Sequence, residues 1–306
     1  MFKSLMLFAA VLAIACALPA CSIKEQRENC PAERARVNVS FSGLQVCTDA
    51  GELRTVQTKT VPADSAGVER IAFAVIDSGG EIVYSAQQTA GSDGFGAVSF
   101  ELTEGEYTFA SEAHILSGPA SISVSGGKAI ATISGSAVYE TYAASEPVEV
   151  TAGKDVDLQM TLSRISAQLS LETKDNQPAD VAKLQFFIGD TLKPAYTSFS
   201  IDLASGTMAG FGEEGHLARE WTRTSTDAGK PTAQTCALLL AAEQQSLPVK
   251  IVALDASGEI LRSHVIPSVP FKQNCKTTIT GEFYSTPAAS SFQFNTEWGT
   301  PIDGGW

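Results

Sequence analysis

The sequence predicts an all-β protein built as two β-sandwich domains in tandem. Three observations predict it. Short segments of alternating apolar and polar residues fill nearly all 306 residues, with turn signals between them. No window carries a convincing amphipathic helix period. The alternation also changes phase near the middle of the chain, as if one core were left for another. With 44% apolar and 18% charged residues, the chain has material for a sizeable core.

Residues 1–20 read as a targeting segment. Lys3 precedes the apolar stretch LMLFAAVLAIACALPA, and polar residues (SIKEQREN) follow at once. LPAC (18–21) has the layout of a bacterial lipobox, which would make Cys21 a lipidated residue. The alternative is an ordinary signal peptide cut near Ala20, with Cys21 a plain thiol. Acyl chains would hold the chain to a membrane at about 0.8 kcal/mol per buried CH₂. Without Lys3 there remain 20 basic and 34 acidic residues, a charge of about −14. That balance argues against nucleic acid and against electrostatic attachment to anionic lipid.

ARVNVSF (35–41) follows as a first strand. Val37, Val39 and Phe41 share one face, and Leu44 and Val46 are apolar residues just beyond. Next comes CTDAGELRTVQTKTVPADSAGVER (47–70), polar and turn-rich, with Arg54 inside it. Segments of this kind are where proteases cut. The plainer reading is an ordinary surface arginine. The strands RIAFAVID, EIVYS, AVSFEL, EYTFASEA, SISVS and AIATIS then run from 70 to 134. DSGG, GSDGFG, TEGE and SGG separate them.

The phase change falls at Ser163-Arg164. Val156, Leu158, Met160 and Leu162 alternate before it; Ile165, Ala167, Leu169 and Leu171 alternate in the other phase after it. A bulge would do this, and so would a strand changing cores, so the domain border is placed there. CALLLAAEQQ (236–245) is either a short helix or a buried strand. IDSGGEIVYS (76–85) and LDASGEILRS (254–263) share Asp, Gly, Glu, Ile and Ser in register. Each reads as strand, tight turn and strand, which suits two sandwiches of one type and equally two generic hairpins. The chain ends SSFQFNTEWGTPIDGGW, where Phe292, Phe294, Thr296 and Trp298 alternate with polar residues. Trp306 either packs on its own domain or is meant for another molecule.

No constellation of side chains points to catalysis, and no cofactor is expected. GFGEEG (210–215) matches G-x-G-x-x-G literally, but Glu213 and Glu214 would repel a pyrophosphate, and no strand–helix context surrounds it. His114, His216 and His264 lie far apart, so no metal site is expected. Asp155 and Asp157 share a strand face and read as solvated rather than calcium-binding. Cys30, Cys47, Cys236 and Cys275 allow three disulfide connectivities, of which the local Cys30–Cys47 and Cys236–Cys275 pairing is preferred.

Taken together, these parts resemble the fimbrillin-type pilins, lipoprotein precursors of type V pili in Gram-negative bacteria. The resemblance runs along nearly the whole chain through scattered patterns: LPAC, ARVNVSF, the following arginine and loop, RIAFAVIDSGGEIV, LTEGEYTFASEA, LSRISAQLSLE with Arg164 and Ala167, KQNCKTTITGEF, and SFQFNTEW with the closing Trp306. It implies two transthyretin-like sandwiches, 55–163 and 164–306, behind a lipidated leader (21–54) with a removable first strand whose apolar plugs are Val37, Val39, Phe41, Leu44 and Val46. It implies export to the outer membrane as a lipoprotein and cleavage by an arginine-specific protease between Arg54 and Thr55. Arg34 and Arg36 precede the first strand's core residues, and Arg70 adjoins a core strand, so Arg54 is the residue that matches. It further implies that a neighbouring subunit's C-terminal strand, around Phe292, Phe294, Trp298 and Trp306, replaces the lost strand and builds a head-to-tail homopolymer that supports adhesion. Pro301 and the glycines of GTPIDGGW depart from a ladder strand. That departure suits a hinge, or an anchor or tip subunit that keeps its lipid. A surface lipoprotein that binds glycan or peptide through sandwich loops is the reading from another class.

Overall fold

The computed structural model describes residues 33–43, 61–62, 67–115, 118–134, 138–189, 198–211, 217–224, 227–285, 293–294 and 300–301. These residues are all-β. In chain order the strands are β1 (Arg34–Gly43), β2 (Val61–Pro62), β3 (Arg70–Asp77), β4 (Ile82–Thr89), β5 (Ala97–Thr103), β6 (Gly105–His114) and β7 (Ala120–Ser125). There follow β8 (Lys128–Ser134), β9 (Thr141–Val150), β10 (Val156–Arg164), β11 (Ala167–Asn176), β12 (Lys183–Ile188), β13 (Ser198–Asp202) and β14 (Thr207–Phe211). The last are β15 (Leu217–Thr222), β16 (Pro231–Leu238), β17 (Gln244–Leu254), β18 (Ile260–Lys272), β19 (Cys275–Gly281), β20 (Gln293–Phe294) and β21 (Thr300–Pro301). CALLLAAEQQ is therefore strand to Leu238, a bend, and the start of the next strand.

Two sandwiches share one topology. In the first, β5-β1-β10 faces β4-β3-β6-β9. In the second, β16-β11-β19 faces β15-β12-β17-β18. Each half closes by pairing its first strand in parallel with its last long strand: β1 with β10, and β11 with β19. The first core gathers Val37, Phe73, Phe100, Phe109, Tyr142 and Met160. The second gathers Leu169, Leu171, Phe186, Ile251, Phe271 and Ile279. The phase change at Ser163-Arg164 is where the chain passes between them: Met160 and Leu162 belong to the first core, and Ala167 and Leu169 to the second.

A third sheet, β14-β13-β8-β7, has no counterpart in the sequence reading. It is made of two hairpins, one inserted in each half, that pair across the halves from Ser198↔Ser134 to Asp202↔Ile130. It covers the outer face of β3, β6 and β9, where Ala72, Ala110 and Ala143 leave room for Ile133, Phe199 and Ile201. β3 is consequently buried on both faces, which is why RIAFAVID is a continuous apolar run and not an alternation.

The echo between IDSGGEIVYS and LDASGEILRS is real at the level of the turn. Asp77 Oδ1 accepts the amides of Gly79 and Glu81, and Asp255 Oδ1 accepts those of Ser257 and Glu259. Gly80 and Gly258 both carry positive φ, 85° and 90°, where a side chain is strained. The strands are not equivalent, however. The first hairpin joins β3 to β4, and the second joins β17 to β18, whose topological counterparts are β6 and β9. The duplication lies in the topology and not in that sequence match.

Candidate functional site

β1 occupies a slot inside a sheet. Its Arg34–Ser40 stretch pairs antiparallel with β5, and Val37–Gly43 pairs parallel with β10. Alternation holds from Arg34 to Phe41: Ala35, Val37, Val39 and Phe41 are at most 4% exposed, while Arg34, Arg36 and Ser40 face solvent; Ser42, next on the outward count, is buried as well. Phe41 meets Phe73 edge-on at 5.4 Å, and Phe73 in turn contacts Phe100 and Phe109. Burial of Val37, Val39 and Phe41 contributes roughly 5–9 kcal/mol together. On the outer face, Asn38 donates to Asp157 Oδ1 and accepts from Ser99 Oγ, each at 2.8 Å. The Arg36 amide donates to Asp155 Oδ1 at 3.2 Å. The two aspartates are exposed and are partners of β1.

The connection after β1 has a specific geometry. Gly43 and Val61 are register partners, so residues 44–60 depart from and rejoin the sheet at one place. A single cut within that segment would separate β1 from everything else without breaking any described strand. Arg54 and Thr55 fall in it, with Leu44, Val46 and Cys47; these lie outside the described residues, as do Cys21 and Cys30.

At the other end, β19 carries the C-terminal segment on its free edge. Phe294 pairs with Ile279 in β20, and Pro301 pairs with Cys275 in β21. Phe292, Trp298 and Trp306 lie outside the described residues. The chain leaving β19 is clamped first: Asp175 accepts the amides of Phe283, Tyr284 and Ser285. Burial pushes the Asp175 carboxyl up, but those donors outweigh it and hold it below the usual carboxylate range. Tyr284 shares a 2.6 Å hydrogen bond with Thr232, and burial pushes its phenol up to about 12.

The expected Cys236–Cys275 disulfide is not formed, which corrects that pairing. Cys236 on β16 is opposite Leu169, and Cys275 opens β19, so β11 runs between them. Two strand spacings are roughly 9.5 Å, beyond the reach of a disulfide. Burial pushes the Cys236 thiol up to about 12, leaving it inert.

Two buried polar clusters carry no signal in the sequence. Arg164 Nη2 is 2.8 Å from Glu140 Oε2, and the Tyr142 hydroxyl donates to the same oxygen at 2.8 Å. His114 Nδ1 is 2.8 Å from Glu112 Oε1, and its Nε2 donates to the Gly118 carbonyl at 2.9 Å. Among the described residues, no group of three or more His, Cys, Asp or Glu could hold a metal; His216 lies outside them. GFGEEG ends a strand at Phe211 and continues outside the described residues.

The tandem-sandwich fold is shared with solved structures described as adhesin, polysaccharide-binding and fimbrial anchor proteins. A Bacteroides thetaiotaomicron protein described as a candidate polysaccharide-binding protein (DUF1812) superposes with a TM-score of 0.53 at 11% identity, covering 88% of this chain and 99% of that one. The fimbrial anchor protein Mfa2 from Porphyromonas gingivalis gives 0.51 at 10% identity, covering 88% and 99%. A candidate adhesin from Bacteroides ovatus gives 0.51 at 11% identity, covering 87% and 96%. At these identities the likeness is one of fold. Comparison with the curated proteins returns no match. Residues 120–306 match the profile of a family described as a family of unknown function, DUF6562, and the chain belongs to that family.

Proposed function

We propose that the chain is a structural subunit of a bacterial surface fimbria, assembled by strand exchange and supporting adhesion. The observation that carries this reading is β1: an apolar strand seated between β5 and β10, joined to the rest through a segment whose two ends are register partners. Export uses residues 1–20, and Cys21 takes the lipid that holds the precursor in the outer membrane. An arginine-specific protease cuts between Arg54 and Thr55, and the leader (21–54) leaves with β1. The sandwiches, 55–163 and 164–306, remain. The C-terminal segment of the next subunit fills the vacancy. A slot on one half and a donor on the other make a head-to-tail contact that propagates instead of closing. The chain acts through binding alone, without catalysis, cofactor or metal.

A second reading has its own support. β20 and β21 lie on the chain's own β19, and a known anchor, Mfa2, shares the fold. A terminal subunit that keeps its lipid and β1 needs no free donor. Labelling cells with palmitate and sequencing the N-terminus of the surface protein separates the two. A shaft subunit begins at Thr55 and carries no label. An anchor retains labelled Cys21, and that result would overturn the first reading.

A further inference from the structure

We infer that Ser99 and Asp157 read the outer face of the strand in the β1 slot, and that residues 292–298 of a second copy carry the matching pattern. This rests on the strand-exchange reading above and adds a register to it.

Apolar contact alone specifies such a register poorly. A slip of two residues returns the same alternation to the core, so Val37, Val39 and Phe41 allow more than one seating. A polar contact on the outer face removes that freedom. Asn38 is the register partner of Ser99 on β5 and of Asp157 on β10 at once. Its side-chain amide donates to Asp157 Oδ1 and its carbonyl oxygen accepts from Ser99 Oγ, both at 2.8 Å. Asparagine supplies a donor and an acceptor together. An aliphatic residue supplies neither, and an aspartate would set a second carboxylate against Asp157.

The sequence offers one other segment that meets these demands. Of the asparagines in the chain, only Asn38 and Asn295 have an apolar residue before them and an aromatic three places after. Val37-Asn38-Val39-Ser40-Phe41 is matched by Phe294-Asn295-Thr296-Glu297-Trp298. Laid in the β1 direction with Asn295 at the Asn38 place, Trp298 takes the aromatic place of Phe41, and Phe294 that of Val37. Phe292 then falls at the Ala35 place, before β10 begins at Val156, where β5 alone flanks the strand. Glu297 takes the outward place of Ser40.

Peptide competition on the Arg54-cut protein tests this. A fluorescent peptide of residues 33–44 is bound to the cut chain and displaced with a peptide of residues 288–300. The parent competitor should displace it. Asn295→Ala should compete about tenfold more weakly, the loss of two hydrogen bonds. Asn295→Asp should be weaker still, and Asp157→Asn in the protein should restore the Asn295→Asp peptide to near parent strength. In the uncut chain, Asn38→Asp should lower Tm and Asp157→Asn should recover part of the loss. An Asn295→Asp peptide as effective as its parent, or an Asn38→Asp chain with unchanged Tm, overturns the assignment of Ser99 and Asp157. A 288–300 peptide that fails while unlabelled 33–44 competes overturns the C-terminal occupant and leaves strand exchange standing. A cut chain that never takes up the labelled peptide overturns strand exchange, and this inference with it.

Discussion

Glu112 and His114 are successive inward residues of β6, beneath the third sheet and almost without exposure. Both ring nitrogens of His114 face acceptors, so the doubly protonated ring suits the site. Burial pushes its pKa down, but the Glu112 carboxylate outweighs this and raises it, while Arg70 opposes the charge from β3. Burial also raises the Glu112 carboxyl. Both shifts have the same sign: the folded form binds protons more tightly than the unfolded one. The histidine's contribution is full below its ordinary value of about 6.5 and is lost as pH rises through its raised folded value, while the carboxyl's is lost from its own ordinary value of 4.5 upward. Tm measured across the neutral-to-alkaline range should therefore fall, and His114→Ala should cost about 3–5 kcal/mol by leaving a buried carboxyl unpaired. A Tm flat across that range would contradict the assignment. None of this was legible in the sequence. Glu and His two apart on a strand carry no local sign of burial, because a strand's second face is polar by default and only the third sheet makes it interior. Arg164 is hidden for a similar reason: its partner Glu140 lies 24 positions earlier and meets it only through the β9–β10 pairing.

β1 was legible because its two faces differ so plainly. Val37, Val39 and Phe41 alternate with Arg36, Asn38 and Ser40, and the structure buries the first set and turns the second outward. What alternation could not give was its neighbours. The parallel partner β10 is more than a hundred residues away, and long-range pairing leaves no local trace. Turn chemistry was equally readable and equally local: the Asp77 and Asp255 turns make the same two amide bonds, yet they join strands with different places in the fold. An element-scale test follows from the proposal that β1 is a temporary occupant. Val39→Asp should destabilise the uncut chain by about 3 kcal/mol or more, since it buries a charge without a partner. Urea midpoints would show it. Once the leader is cut away, the Val39→Asp and parent chains are identical molecules and should assemble alike. An unaffected urea midpoint in the uncut chain would mean that β1 is not part of the core.

Taken whole, the described residues form two seven-stranded sandwiches of like topology tied by a sheet to which each contributes a hairpin. Lys128 and Asp202 close that seam at 2.6 Å. The fold class and the passage between cores could be read from periodicity; the seam could not, because SISVS and AIATIS look like any other strands until β13 is laid against them. The same topology places β1 and β11 in equivalent slots, between β5 and β10 and between β16 and β19. Of the two, β1 is joined to its next strand by a segment that returns to its own starting point; β11 continues from β10 within three residues. The first slot is thus the one that the strand-exchange proposal empties. Hydrogen exchange, read by mass spectrometry before and after cleavage at Arg54, tests that most directly. The account predicts that residues 33–43 separate from the cut protein and that amides of β5 and β10 lose protection, while those of β3, β6 and β11 keep theirs. A β1 that stays bound and protected after the cut, or a first sandwich that unfolds entirely without it, would contradict the account.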